Sequence, residues 1–207
     1  MFEFIANTFV VFFVVIDPIG LAAMFSALGH HGGPAYRRRM ALRGTGLAAL
    51  ILLAFFFVGA GLLGALGIGV PAFRTAGGVL LFLLAIDMVF ARQSGLRSTT
   101  RQEREEAEVK EDISVFPLAF PLIAGPGALT TVLLMSTHQR GALGAVAILL
   151  VLAVVLGITL LLLWWADRVM ALLGETGTNV ISRLLGLVLA ALAVQYVMDG
   201  IRTGLGG

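Results

Sequence analysis

Two places in this chain set proline and glycine inside runs that otherwise read as apolar helix: Asp17-Pro18-Ile19-Gly20 and Gly125-Pro126-Gly127. Proline has no N–H and clashes with the preceding turn, so it interrupts a helix interior but suits the first position of a new helix. Asp17 and Gly125 therefore read as the N-cap residues of two half-helices opened by Pro18 and Pro126. A helix N-terminus offers unpaired N–H groups and the positive end of its dipole, which favour an anion. The half-helix before each break ends in unpaired carbonyls, which suit an ammonium or another cation. A ligand using both would be a zwitterion. The flanking residues are small, Gly20, Ala22 and Ala23 at one break and Ala124, Gly127 and Ala128 at the other. A small neutral amino acid fits that chemistry.

Other polar residues are candidates to join this site. Asn7 and Thr8 precede Asp17 by a few helical turns, Thr130 and Thr131 follow Pro126, and Gln195 lies deep in the last apolar run. For the threonines the alternative is back-bonding to the i−4 carbonyl, common in membrane helices. Asp17 has two readings that can both hold. It can cap a helix, and as an ionisable group at membrane depth it can serve as an ammonium partner or a protonatable coupling-ion site. Asp87, Asp199, Arg74 and Arg183 sit near the ends of their runs, where long side chains reach toward the interface. No histidine–carboxylate spacing resembles a metal site, and no cofactor is expected.

The elements that must position these residues are membrane helices. Hydrophobic residues make up 59% of the 207, charged residues only 13%, and mean hydropathy is +1.01. Uncharged stretches such as Gly44 to Phe73 and Gly141 to Ala166 each exceed the ~20 apolar residues that cross a bilayer. The expected class is an all-α polytopic membrane protein with six spans: about 2–28, 44–67, 72–91, 113–137, 142–166 and 181–203. Spans one and four are broken at mid-membrane. The connectors 29–43, 92–112 and 167–180 hold most of the Lys and Arg, which puts them in the cytoplasm and both termini outside. That clustering also argues against nucleic acid as a partner. Residues 101–112 read as a short solvated helix, Trp164 and Trp165 as an interfacial belt, and Gly61, Gly64, Gly141 and Gly144 as close-packing contacts.

A shift of about 108 residues brings Pro18 onto Pro126 and Arg74 close to Arg183, which suggests an internal repeat. Three spans per half is odd, so the halves would insert with opposite orientation: repeat A 1–91, connector 92–112, repeat B 113–207. The whole chain is expected to form a single transmembrane domain.

With these motifs in place, the chain resembles the MarC family of integral membrane proteins, within the LysE-type transporter superfamily. The likeness rests on Ile16-Asp-Pro-Ile-Gly20, Phe116-Pro-Leu-Ala-Phe-Pro-Leu-Ile-Ala-Gly-Pro-Gly127, and the stretch Arg183 to Tyr196 followed by Asp199-Gly200. Where the family often carries Asn-x-Pro after the first glycine, this chain has Leu21-Ala22-Ala23. The resemblance implies six spans and an unwound substrate site in spans one and four. Archaeal relatives described as small neutral amino acid transporters imply glycine or alanine as substrate. The expected function is a secondary transporter of such amino acids, coupled to protons or sodium, in the inner or plasma membrane. Its partners are a zwitterionic small molecule and the bilayer, with a homo-oligomer open. Alternatives are an exporter of another small metabolite or drug, or a non-transporting scaffold. An enzyme is not expected, since Asp87 and Asp199 lie too near the faces to meet Asp17 in an intramembrane hydrolase.

Overall fold

The structure is a computed structural model that describes residues 2–28, 33–90, 112–138 and 141–206. The connector up to residue 111, with its expected short helix, lies outside the described residues, as do His30, His31 and Arg140. The described residues form helices and no strand: α1 (Phe2–Ile16), α2 (Pro18–Leu28), α3 (Pro34–Ala65), α4 (Val70–Phe90), α5 (Ser114–Ile123), α6 (Pro126–His138), α7 (Ala142–Trp164) and α8 (Ala166–Leu205). Five stretches are long and apolar enough to cross a membrane, or six when α5 and α6 count as one bent span.

Two expected connectors are largely helix. α3 begins at Pro34, ten positions before the uncharged run, because proline suits a first helical position and arginine is a good helix former. The long stems of Arg37, Arg38 and Arg39 let such residues extend a span beyond its apolar section. Likewise 167–180 is not a loop. α7 ends at Trp164, the chain turns at Trp165, and α8 runs from Ala166 with one interruption at Gly174 (φ 64°, ψ 177°). That backbone conformation is open to glycine and essentially closed to other residues.

The fourth span departs furthest from a plain helix. Pro117 and Pro121 force the residues before them toward extended backbone, and Phe116 (φ −131°, ψ 126°) and Phe120 (φ −134°, ψ 128°) adopt it. Backbone bonds at the two ends of α5 reach back five residues, from Leu118 N to Ile113 O (3.2 Å) and from Ala124 N to Ala119 O (2.9 Å). α5 is therefore a π-type segment.

α4 and α8 form the most extensive helix pair. α1 and α2 lie against α7 and α8, α5 lies against α3, and α6 lies against α3 and α4. Glycines let the α4–α8 backbones approach. A Cβ on Gly78 would sit 2.8 Å from Ala193 O, one on Gly186 2.7 Å from Met88 Cβ, and one on Gly200 2.3 Å from Thr75 Oγ1. Close backbone approach is what holds helices together where lipid cancels the hydrophobic drive. The expected packing glycines 61, 64 and 141 have open space instead. They fall on exposed turns and faces, which a spacing of small residues cannot distinguish from a seam.

Candidate functional site

The two breaks are built differently. At the first, one residue, Asp17, falls outside the two helices and the ladder resumes beyond it. Asp17 N donates to Phe13 O (2.8 Å), and Leu21 N donates to Asp17 O (3.0 Å). Phe2–Leu28 runs on as a single apolar span of 27 residues. Asp17 takes φ 47°, the left-handed region that aspartate enters more readily than most residues. Its side chain then turns back, and Gly20 N donates to Asp17 Oδ1 at 3.0 Å. This is an N-cap bond to the third residue of α2. Asp17 is only 2% exposed, and Ser182 of α8 donates a long 3.4 Å hydrogen bond to its other oxygen. A Cβ on Gly20 would fall 2.3 Å from Asp17 Oδ2, so glycine there makes room for the carboxylate.

At the second break α5 and α6 are bent 58° apart. Leu129 N donates to Gly125 O (3.0 Å), which makes Gly125 the cap residue of α6. Glycine has no side chain to offer. The N–H groups of Gly127 and Ala128 therefore meet no side-chain acceptor among the described residues. Both residues border a cavity of ≈10 Å³ lined also by Val15, Leu84, residues 121–123, Gly125 and Pro126. That is room for one water molecule. A Cβ on Gly125 would lie 2.3 Å from Pro121 O, so this carbonyl lies against the break. A Cβ on Gly127 would lie 3.0 Å from Leu81, 3.1 Å from Leu84 and 3.4 Å from Val15. Val15 sits two residues before Asp17, so the flank of the first break touches the second.

The structure gathers some of the expected site residues and separates others. Pro18, Gly125, Gly127, Thr130 and Thr131 are buried, and Ile19, Gly20 and Pro126 are partly so. The Thr130 methyl packs on Gly77, where an added Cβ would lie 2.0 Å away. The Thr8 and Thr131 hydroxyls are buried with no hydrogen-bond partner among the described residues, so neither back-bonds to its own helix there. Asn7 and Gln195 are exposed on the outer surface, and Gln195 donates to Asp199 Oδ1 (2.9 Å) one turn on. Neither lines the cavity at the second break.

Residues 2–205 match the model of the MarC family of integral membrane proteins. The chain belongs to the MarC family. It is 35% identical to the UPF0056 membrane protein YvbG of Bacillus subtilis (strain 168), covering 98% of this chain and 96% of that one. It is 34% identical to the UPF0056 inner membrane protein YhgN of Escherichia coli (strain K12), covering 98% of each. An archaeal UPF0056 membrane protein from Archaeoglobus fulgidus is 33% identical over 96% of this chain and 92% of its own length. No solved structure matches. The MarC match and the apolar helices make this an integral, multi-pass membrane protein.

Within this MarC chain, Ser182, Val15, Leu81 and Leu84 join the site without having been singled out. Ser182 immediately precedes the Arg183 motif, which is the one sequence signal that pointed near it. The three aliphatic residues carry no chemistry and become visible only through packing.

Proposed function

We propose that this protein is a secondary transporter of small neutral amino acids, of the glycine or alanine kind, driven by a proton or sodium gradient. The observation that carries this reading is the N-terminus of α6, which no side chain caps and which lies on a small cavity walled by glycine, proline and aliphatic side chains. The substrate carboxylate takes the N–H groups of Gly127 and Ala128, where the helix dipole adds attraction. The α2 end needs no external anion, because Asp17 already caps it. Its carboxylate supplies the negative charge for the ammonium or the coupling ion, and the Pro121 carbonyl adds an acceptor oxygen. At ≈10 Å³ the cavity is too small for an amino acid, so admission requires the α1–α2 span to part from α5–α6. The tight aliphatic wall favours small substrates over drugs.

The helix contacts support the inverted-repeat reading. Exchanging spans one, two and three for four, five and six turns the pairing of α1–α2 with α7 into that of α5–α6 with α3. It also turns α2–α8 into α4–α6 and leaves α4–α8 and α3–α7 as self-pairs. Two such halves rocking against each other give alternating access. The same reading puts the arginine-bearing ends in the cytoplasm and the termini outside. With it go the inner or plasma membrane, YhgN being named an inner membrane protein, and the LysE-type superfamily that the sequence motifs resemble.

Thermal unfolding of the purified protein in detergent tests the binding step. Alanine and glycine should raise the melting temperature, because a ligand of the folded form stabilises it by about 2.7 kcal/mol at a hundred times its Kd. Acetate and methylamine, each carrying half of the zwitterion, should not. A shift with acetate equal to that with alanine would refute zwitterion recognition.

A further inference from the structure

A second cavity lies apart from the breaks, where α3 begins and α7 turns into α8. It is an open cleft of ≈440 Å³ lined by Pro34, Arg37, Arg38, Arg168, Trp164, Trp165 and Asp167. We propose that it binds the phosphate of a phosphate ester, and its position at the end of an apolar span favours the headgroup of an anionic phospholipid.

The charges are unbalanced in the right sense. Asp167 is matched from within, since Arg37 pairs with its Oδ2 and Ser26 donates to its Oδ1 at 2.9 Å. Arg37 also lies 5.5 Å over the Phe25 ring, which holds its guanidinium in place. Arg38 and Arg168 have no carboxylate partner among the described residues, and both are exposed. Two guanidinium forks on one cavity suit the oxygens of a phosphate. The first turn of α3 adds the positive end of its dipole, because no side chain caps it at Gly33.

The aromatic wall speaks for a lipid source. Trp164 Nε1 donates to the Arg38 carbonyl at 3.3 Å, which ties the indole to the cavity rim. Tryptophan at that level seats glycerol and upper acyl groups, and basic pockets between membrane helices take phospholipid headgroups.

Native mass spectrometry in a neutral detergent tests this, comparing retention of phosphatidylglycerol with that of phosphatidylcholine. The wild type is set against the double variant Arg38→Gln/Arg168→Gln and against Arg39→Gln, which alters a neighbouring exposed arginine outside the cavity. The double variant should lose phosphatidylglycerol preference by roughly tenfold, and Arg39→Gln should keep it. A second arm follows melting with added glycerol 1-phosphate, on variants whose circular dichroism matches wild type. Protection there that is lost in the double variant, with lipid retention unchanged, assigns the site to a soluble phosphate ester. Loss of preference equal in Arg39→Gln, or no dependence on Arg38 and Arg168 in either arm, overturns the proposal.

Discussion

Asp17 carries a structural duty and, in the proposed function, a transport duty, and substitutions can separate them. Asparagine caps a helix as well as aspartate does, whereas alanine loses about 1 kcal/mol at such a position. Asp17→Asn should therefore melt close to wild type yet lose gradient-driven transport, while Asp17→Ala should also melt earlier. Calorimetry in detergent beside flux in vesicles reads both; full pumping by Asp17→Asn would remove the charge from the mechanism. Outside the spans, Asp112 opens the fourth segment. The Ser114 hydroxyl donates to it at 2.5 Å and the Ser114 amide at 2.9 Å, and Arg43 lies 3.2 Å away. The two Ser114 donors, helped by Arg43, hold its carboxyl below the usual value of 3.8. A lowered folded pKa means that the stabilisation is complete above 3.8 and disappears as pH falls through the lower folded value. Asp112→Asn should thus melt slightly earlier than wild type at neutral pH, and the gap should close only in acid below that range. A gap that closes between pH 5 and 6 would contradict this, as melting curves across pH would reveal.

At the scale of elements, the bent α5–α6 pair differs from the nearly continuous α1–α2 span for an identifiable reason. The first break has one proline and a capping side chain that restores the ladder. The second has Pro117 and Pro121 in succession and then a glycine cap that restores nothing. Gly125→Ala forces a Cβ to within 2.3 Å of the Pro121 carbonyl, and overpacking of this kind costs about 1–3 kcal/mol. The variant should express with a lowered melting temperature and lose substrate binding, whereas Gly61→Ala, in open space, should match wild type in both. Equal melting of the two variants would argue against a rigid Pro121–Gly125 contact. The α4–α8 seam allows a parallel test. Gly186→Leu should destabilise far more than Gly64→Leu, because only Gly186 has Met88 and Val89 against it.

Over the whole molecule, the spans were legible because charge-free runs leave bilayer crossing as their one plausible use. Their ends were not. Arg37 to Arg39, and Asp167, Arg168 and Glu175, look like loop residues by charge, yet both stretches are helical. Their residues are tolerable helix formers, and only Gly174 has the backbone that interrupts the second stretch. The breaks at Pro18 and Pro126 could be read from proline chemistry alone. Their inequality could not, since it depends on which carbonyls and side chains fill the gap. Asn7 and Gln195 look alike to any reading of polar residues in apolar runs, and only the helix packing turns both outward. The Ser182 contact to Asp17 joins residues far apart in the chain, which local spacing cannot disclose.

The central claim is that a small zwitterion passes between the two broken spans under an ion gradient. The most direct measurement is uptake of labelled alanine by proteoliposomes with an imposed proton gradient and, separately, a sodium gradient. The account predicts saturable uptake under one of them, abolished by an ionophore that dissipates it and by Gly127→Val, which fills the space between α6 and Val15. Flux equal to that of protein-free vesicles under both gradients would contradict it.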